Sequence, residues 1–115
     1  MKIKTAAAAL AALAQETRLA AYRLLVQAGP EGLAAGRIAD ALAVSPATLS
    51  FHLKELTNAG LITSRNESRY VIYRADYAAM NGLMAYLTEH CCQGAPCVVE
   101  APCCPTPATV LETAA

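Results

Sequence analysis

The residues best suited to chemistry in this chain are its cysteines, which are crowded into one short segment. All five lie in YLTEHCCQGAPCVVEAPCC, residues 86–104 of a chain of 115 residues. They comprise two adjacent pairs, Cys91-Cys92 and Cys103-Cys104, with Cys97 between the pairs. Thiolates are soft ligands that select soft metal and metalloid centres. The segment therefore indicates a thiol site late in the chain.

The spacing of the cysteines distinguishes between two kinds of centre that thiolates can bind. A structural zinc site needs four tetrahedral ligands, usually from C-x2-C pairs whose loop turns both sulfurs toward one metal. Adjacent cysteines do this poorly. Trivalent arsenic is a soft centre that takes three thiolates in a pyramid, and Cys91, Cys92 and Cys97 can supply them. We therefore expect these three residues to be the ligand set.

Other interpretations of the cysteines stay open. The second pair, Cys103 and Cys104, could hold a second ion or a two-thiol organoarsenical, or have no such role. Vicinal thiols also oxidise readily, so a redox switch without metal is an alternative. A third possibility is a soft-metal-sequestering protein that does not bind DNA.

Length and composition predict one domain with a tail. A chain of this size builds a single small core. We place the domain at residues 1–92 and a cysteine- and proline-rich tail at residues 93–115. Four of the six prolines follow Gly94, so we expect the chain to be flexible from about residue 98 onward.

The charge is neutral overall but unevenly distributed. Residues 1–75 hold all nine Lys and Arg against five acids, whereas residues 76–115 hold four acids and no Lys or Arg. A basic first part of the chain can bind the phosphate backbone of a nucleic acid. We expect no membrane span, because no run approaches the roughly 20 apolar residues that one needs. The sequence shows no phosphate loop or hydrolase motif, so we predict that the protein is not an enzyme.

The first fifteen residues, MKIKTAAAALAALAQ, allow two interpretations. They resemble a cleaved secretory signal, but a helical pattern that runs on through Leu19, Tyr22 and Val26 favours an amphipathic first helix. Cysteines crowded into a tail do not resemble a disulfide framework. We therefore expect a cytoplasmic protein.

The rest of the chain predicts four more helices and a β-hairpin. Helices are expected at about residues 17–28 and 34–42, and then from Pro46 to Gly60, with Ser45 as N-cap. Two short helices joined by a tight turn form a helix-turn-helix. The segment LITSRNESRYVIYR predicts a hairpin that turns at NES. Asp76 is expected to cap a last helix over residues 77–90. The fold class is thus mainly α with a β-hairpin.

This order of elements is that of a winged helix-turn-helix, and the sequence resembles the ArsR/SmtB family of metal-responsive repressors. The resemblance covers roughly residues 10–92 and lies in LAQETRLAAYRLL, SPATLSFHLKELTNAGLI and SRYVIYR. Phe51 stands where many members have Arg, and Ser68 where the wing turn often has Gly. The segment LTEHCCQGAPC is similar to members that sense arsenite or antimonite through cysteines just beyond the last helix. A cysteine motif that some members carry in the third helix is absent here.

The predicted DNA contacts lie on the recognition helix and the wing. An apolar stripe of leucines should face the core, so that the opposite arc of the helix can enter a major groove. Phe51 could pack on a thymine methyl, while His52 is balanced between a DNA contact and a structural role. The predicted DNA-binding residues are Ala47, Thr48, Ser50, Phe51, His52, Lys54, Arg65 and Arg69.

One such module makes few contacts, so we expect a homodimer on a palindromic operator in double-stranded DNA. Apolar stripes on the first and last helices are the predicted dimer interface: Leu10, Leu13, Tyr77, Met80, Met84 and Leu87. The functional hypothesis is a transcriptional repressor that needs no cofactor to bind DNA. As(III) or Sb(III) bound to the cysteine thiolates would release it.

Overall fold

The computed structural model describes residues 1–94, and it folds them into five helices and a three-stranded antiparallel sheet. Cys97, Cys103, Cys104 and the part of the tail predicted to be flexible lie outside the described residues. The elements, in chain order, are α1 (Ile3–Leu13), α2 (Glu16–Ala28), β1 (Leu33–Ala34), α3 (Ala35–Leu42), α4 (Pro46–Asn58), β2 (Ile62–Glu67), β3 (Tyr70–Ala75) and α5 (Tyr77–Leu87). This is the winged helix-turn-helix that the sequence predicts.

The first two helices are separate, as the predicted second helix at about residues 17–28 requires, and the helical pattern is interrupted after Leu13 instead of running unbroken through Val26. The helix stops at Ala14, and Gln15 takes an extended backbone as the N-cap of α2. The Gln15 side-chain oxygen accepts a hydrogen bond from the backbone N–H of Arg18 at 2.9 Å. This bond satisfies one of the free donors at the helix start, which is why α2 begins here.

The strand β1 was not predicted. Its two residues pair with β3, with Leu33 opposite Tyr73 and Ala34 opposite Ile72. Gly32, just before it, has a φ of 76°, and a Cβ on this residue would collide with the Tyr73 carbonyl. A glycine is therefore required where the chain enters the sheet edge.

The wing hairpin turns later than predicted. Strands β2 and β3 pair in register from Ile62 opposite Ala75 to Glu67 opposite Tyr70. The turn is therefore Ser68-Arg69 and not NES, which lies mostly within β2. Ser68 adopts a φ of 58°, a left-handed conformation that glycine adopts more readily.

The last helix ends earlier than predicted, at Leu87 instead of residue 90. Asp76 is confirmed as its N-cap, since its carboxylate accepts from the Ala79 N–H at 3.1 Å. Beyond Thr88 the backbone tightens: the Cys91 N–H donates to the Thr88 carbonyl three residues back, and His90 has a φ of 58°. Cys91–Gly94 form a separate tight turn in which Cys92 and Gln93 are left-handed. The vicinal cysteines are thus not on the last turn of α5.

The core lies between α2, α3, α4 and the sheet. Its largest fully buried side chains are Leu25, Ile38, Leu49, Leu53, Leu56, Leu61 and Ile62. Helix α1 fully buries only small residues, namely Ala6, Ala9 and Ala12, so its backbone packs close to its neighbours. Of its larger side chains, Leu13 packs against the core, while Ile3 and Leu10 are exposed. Within residues 1–94, no helix is long and apolar enough to cross a membrane.

One buried side chain carries an unpartnered hydroxyl. Tyr22 on α2 is only 6% exposed, and its hydroxyl has no hydrogen-bond partner among the described residues. Burial, assisted by the negative charge of Asp76, raises the pKa of Tyr22 to about 12. The neutral phenol is therefore the form that the fold accommodates.

We predict that Tyr22 makes the protein sensitive to alkali. Above pH 10 the unfolded tyrosine ionises while the folded one stays neutral, so stability is lost as the pH rises from the unfolded pKa through the folded pKa. At pH 11 the loss is about 1 kcal/mol in the free energy of unfolding. Urea unfolding at pH 8 and pH 11 should show that Tyr22→Phe lacks this part of the decline. At pH 8 the variant should be as stable as the wild type or more so, since it removes an unsatisfied hydroxyl. Equal declines in both proteins would contradict the assignment.

Candidate nucleic-acid interface

The recognition helix α4 is fixed at its start by a side-chain cap. Ser45 Oγ accepts from the Thr48 N–H at 3.2 Å and donates to Thr48 Oγ1 at 2.9 Å. Pro46 follows at the first helical position, where its missing N–H costs nothing. The predicted cap is therefore confirmed, and the Thr48 hydroxyl is held at the exposed start of the helix.

Burial of the leucine stripe decides which face of α4 is free. Leu49, Leu53 and Leu56 are each at most 1% exposed. The opposite arc is open to solvent, and it holds five of the predicted DNA-binding residues: Ala47, Thr48, Ser50, Phe51 and Lys54. A helix with one buried stripe and one open polar arc has the form that a major groove admits.

Phe51 is the one large apolar side chain on this arc. It is the only phenylalanine in the chain, and it is 56% exposed. Its ring meets the ring of His52 edge to face, with centroids 5.5 Å apart and an interplanar angle of 64°. Aromatic pairs prefer this geometry, so the position of the Phe51 ring depends on its neighbour.

His52 differs from the other predicted contacts because it is half-buried and has a partner inside the protein. Its Nδ1 lies 3.4 Å from an Arg18 terminal guanidinium nitrogen. Arginine only donates, so Nδ1 accepts and the imidazole proton lies on Nε2. The contact with Arg18 therefore supports a structural role for His52, while a contact of His52 with DNA stays a prediction.

Arg18 is the residue that sequence reasoning missed. Its Nε donates to the Ala12 carbonyl at 2.7 Å, while the terminal nitrogen reaches His52. One guanidinium on α2 thus joins the end of α1 to the middle of α4. The available indication was that Arg18 lies one helical turn before the buried Ala21 and Tyr22 of α2, but its partners, Ala12 and His52, are not indicated by any local pattern.

The two wing arginines have different environments. Arg65 lies within β2, where its Nε donates to Glu67 at 2.9 Å and a terminal nitrogen donates to the Glu31 carbonyl at 3.0 Å. Arg65 is therefore not next to the turn, although the NES turn predicted from the sequence would have placed it there. Arg69 lies in the turn itself and is exposed. It makes no hydrogen bond or ion pair within the described part of the chain, which leaves its guanidinium available to a phosphate.

The thiol site is described only in part. Cys91 and Cys92 are exposed in the turn beyond α5, whereas Cys97, Cys103 and Cys104 fall outside the described residues. Among residues 1–94, no group of three or more His, Cys, Asp or Glu side chains is placed to hold a metal ion. The described pair thus supplies two accessible soft donors, and a three-thiolate site requires a further cysteine from beyond Gly94.

The predicted dimer-interface residues divide into two groups. Leu13, Tyr77 and Met80 pack against the monomer's own core, and the Tyr77 hydroxyl donates to the Val26 carbonyl at 2.9 Å. Leu10, Met84 and Leu87 are 42%, 47% and 57% exposed. Met1 and Ile3, at the start of α1, are also exposed apolar residues, and they are not among the predicted interface residues.

Comparison with known proteins agrees with this geometry. Residues 13–65 match the family of helix-turn-helix domains. An uncharacterised HTH-type transcriptional regulator, YceK of Bacillus subtilis, is 40% identical over 67 residues, which are 56% of this chain and 66% of that protein. The match therefore spans just under two thirds of the length of that relative.

Several solved structures share the fold. An ArsR-like transcriptional regulator from Rhodococcus sp. RHA1 has a TM-score of 0.65 and 32% identity, over 73% of this chain and 76% of that chain. A protein described as a possible transcriptional regulator for arsenical resistance has a TM-score of 0.60 and 32% identity, over 68% and 78% of the two chains. The homodimeric DNA-binding domain of Mb0332 from Mycobacterium bovis, a possible ArsR-family regulator, has a TM-score of 0.61 and 26% identity, over 84% and 90%.

The order of elements, the capped recognition helix and the wing agree with these matches. At 32% identity the Rhodococcus regulator is aligned over three quarters of its length, which a shared fold alone would not require. The chain therefore belongs to the ArsR family of winged helix-turn-helix transcriptional regulators.

Proposed function

We propose that the protein is a repressor that binds a palindromic operator as a homodimer and is released by trivalent arsenic or antimony. The observation that carries the proposal is the pairing of an open recognition arc on α4 with exposed vicinal thiols just beyond α5. The first is a surface for DNA, and the second is a site for a soft inducer. A matched protein described as a possible regulator for arsenical resistance supports the same function.

The DNA interface of the proposal uses α4 and the wing tip. Thr48, Ser50 and Lys54 are exposed on the arc that would face the groove, where they can donate to base edges or phosphates. Arg69 at the wing tip would contact the backbone beside that groove. Arg65 is already engaged by Glu67 and Glu31, so its contribution should be smaller.

The dimer of the proposal uses the exposed apolar residues of α1 and α5. These two helices pack against each other, and Leu10, Met84 and Leu87 face away from the monomer core. Exposed large apolar side chains on adjoining helices are typical of protein interfaces. The homodimeric domain from Mycobacterium bovis, which this chain matches over 84% of its length, supports the same arrangement.

The inducer site of the proposal combines Cys91 and Cys92 with Cys97. Three thiolates would coordinate a soft trivalent arsenic or antimony centre, and the thiols would lose their protons on binding. Drawing residue 97 toward the turn at Cys91–Gly94 would act directly on the end of α5, which belongs to the proposed dimer surface. A change there would alter the spacing of the two recognition helices. Cys103 and Cys104 could supply a second site.

Metal-free oxidation of the same thiols is the competing mechanism. Cys91 and Cys92 are adjacent and exposed, so an oxidant can reach them as readily as an arsenical can. In that case peroxide would release the DNA and a reductant would restore binding, with no metalloid present.

The two wing arginines provide a test of the DNA surface. With an operator obtained by selection from random duplexes, Arg69→Ala should flatten the dependence of log K on log salt by about 2 per dimer, since each lost phosphate contact removes about 0.9. The measurement is fluorescence anisotropy between 50 and 300 mM salt.

Arg65→Ala is the matched control, because it removes the same charge from the same hairpin. Since its guanidinium is already bonded to the Glu67 carboxylate and the Glu31 carbonyl, we expect a smaller change in slope. An unchanged slope for Arg69→Ala would show that the wing tip does not contact phosphate.

The thiol assignment is tested by combined substitution. A Cys91→Ser, Cys92→Ser, Cys97→Ser protein should bind the operator as tightly as the wild type but no longer release it with arsenite. The wild type should lose about 5- to 150-fold in affinity, the range of common allosteric couplings. The measurement is an anisotropy titration with arsenite in the presence of a monothiol reductant.

A Cys103→Ser, Cys104→Ser protein serves as the control, since it keeps the proposed ligand set and should still release. Continued release by the triple variant would refute the assignment of the site. Release by peroxide but not by arsenite would instead support the redox mechanism.

A further inference from the structure

Phe51 is the one large apolar side chain on the recognition arc, and contact with an apolar group of a ligand would remove its exposed ring from water. Its neighbours on the arc, Ser50 and Lys54, are polar and exposed, while the Phe51 ring is 56% exposed. In a major groove the edges of A, G and C offer only hydrogen-bonding groups, whereas thymine also presents a 5-methyl group. That methyl group is the one feature of the groove that a phenyl ring can recognise by contact.

The ring of Phe51 is held in place by contacts that lead back to α1. The His52 ring meets it edge to face at 5.5 Å. His52 is itself held by Arg18, whose guanidinium is bonded to the Ala12 carbonyl at the end of α1. A ring supported in this way loses less conformational freedom on binding than one that is free to rotate, which favours selective contact.

We infer that Phe51 is a specificity-determining residue that recognises the 5-methyl group of a pyrimidine in each operator half-site, and that His52 is a positioning residue for its ring. The inference rests on the proposed function, because it requires that α4 enters the major groove. It also predicts that Arg18, through His52, connects the end of α1 to base recognition.

The test removes the methyl group without altering any hydrogen bond. Each thymine of the selected operator is replaced in turn by deoxyuridine, and the affinity of the full-length protein is measured for both duplexes. At one symmetric pair of positions we expect the wild type to bind the deoxyuridine duplex about fourfold more weakly per half-site and about fifteenfold more weakly per operator, as burial of one methyl group implies. Elsewhere the ratio should stay near 1.

Phe51→Ala isolates the contact. Its affinity should drop on the thymine operator, and its thymine-to-deoxyuridine ratio at the sensitive position should fall to about 1. Any residual ratio in this variant measures the effect of the methyl group on the DNA itself. Leu19→Ala is the matched control, since it also removes an exposed apolar side chain, 44% exposed on α2, and it should keep the wild-type ratio.

His52→Ala tests the positioning role. Both affinities come from the same protein sample, so a loss of folded protein cancels in the ratio. A purely structural role would leave the ratio at its wild-type value, whereas a positioning role should lower it to less than twofold per half-site while the other thymines stay insensitive.

The outcomes separate the inference from the proposed function. Wild-type protein that binds the operator but is insensitive to deoxyuridine at every position would overturn the inference alone, as would Phe51→Ala protein that keeps the wild-type ratio. Unchanged affinity of Phe51→Ala would assign the exposed ring to some surface other than the DNA. Failure of the wild type to select any duplex would refute the proposed function, and the inference with it.

Discussion

The burial of three leucines on α4 is the constraint on which the rest of this structure depends. Leu49, Leu53 and Leu56 are almost fully enclosed by α2, α3 and the sheet, and removing any of them would cost about 2 to 5 kcal/mol. Because they lie on one stripe of the helix, they also fix which residues face outward. The same packing that stabilises the domain therefore orients its recognition surface, and the Ser45 cap sets where that surface begins.

The fold could be predicted from the sequence because its signals are local. Ser45-Pro46 marks the start of α4, Asp76 marks the start of α5, and both caps lie where the pattern placed them. Two features that were missed or misplaced, strand β1 and the hairpin turn, depend on pairing between distant residues. The strand β1 exists because Leu33 meets Tyr73, and the true hairpin turn is set by the register of β2 against β3. No pattern within two residues of sequence indicates either the strand β1 or the position of the hairpin turn.

The candidate site was predictable in its residue types but not in its internal connections. The exposure of Phe51 follows from the leucine stripe, whereas the contact of Arg18 with His52 spans 34 positions and could not be read from spacing. For the cysteines, the chemistry could be predicted from the sequence but the local backbone could not. Their chemistry is evident from sequence, yet α5 stops at Leu87 and the turn that follows is left-handed at Cys92. A vicinal pair in a separate turn can rearrange around a ligand without unwinding a helix, which is compatible with the proposed inducer site.

The proposed repressor requires that α4 and the wing of a dimer bind DNA with two-fold symmetry. Selection of bound duplexes from a random pool, followed by hydroxyl-radical footprinting of the enriched sequence, tests it most directly. We expect an inverted repeat whose half-site centres lie about one helical turn, or a multiple of it, apart, with two protected segments on the same face of the duplex. Enrichment of a single unrepeated site, or no enrichment by folded protein, would contradict it.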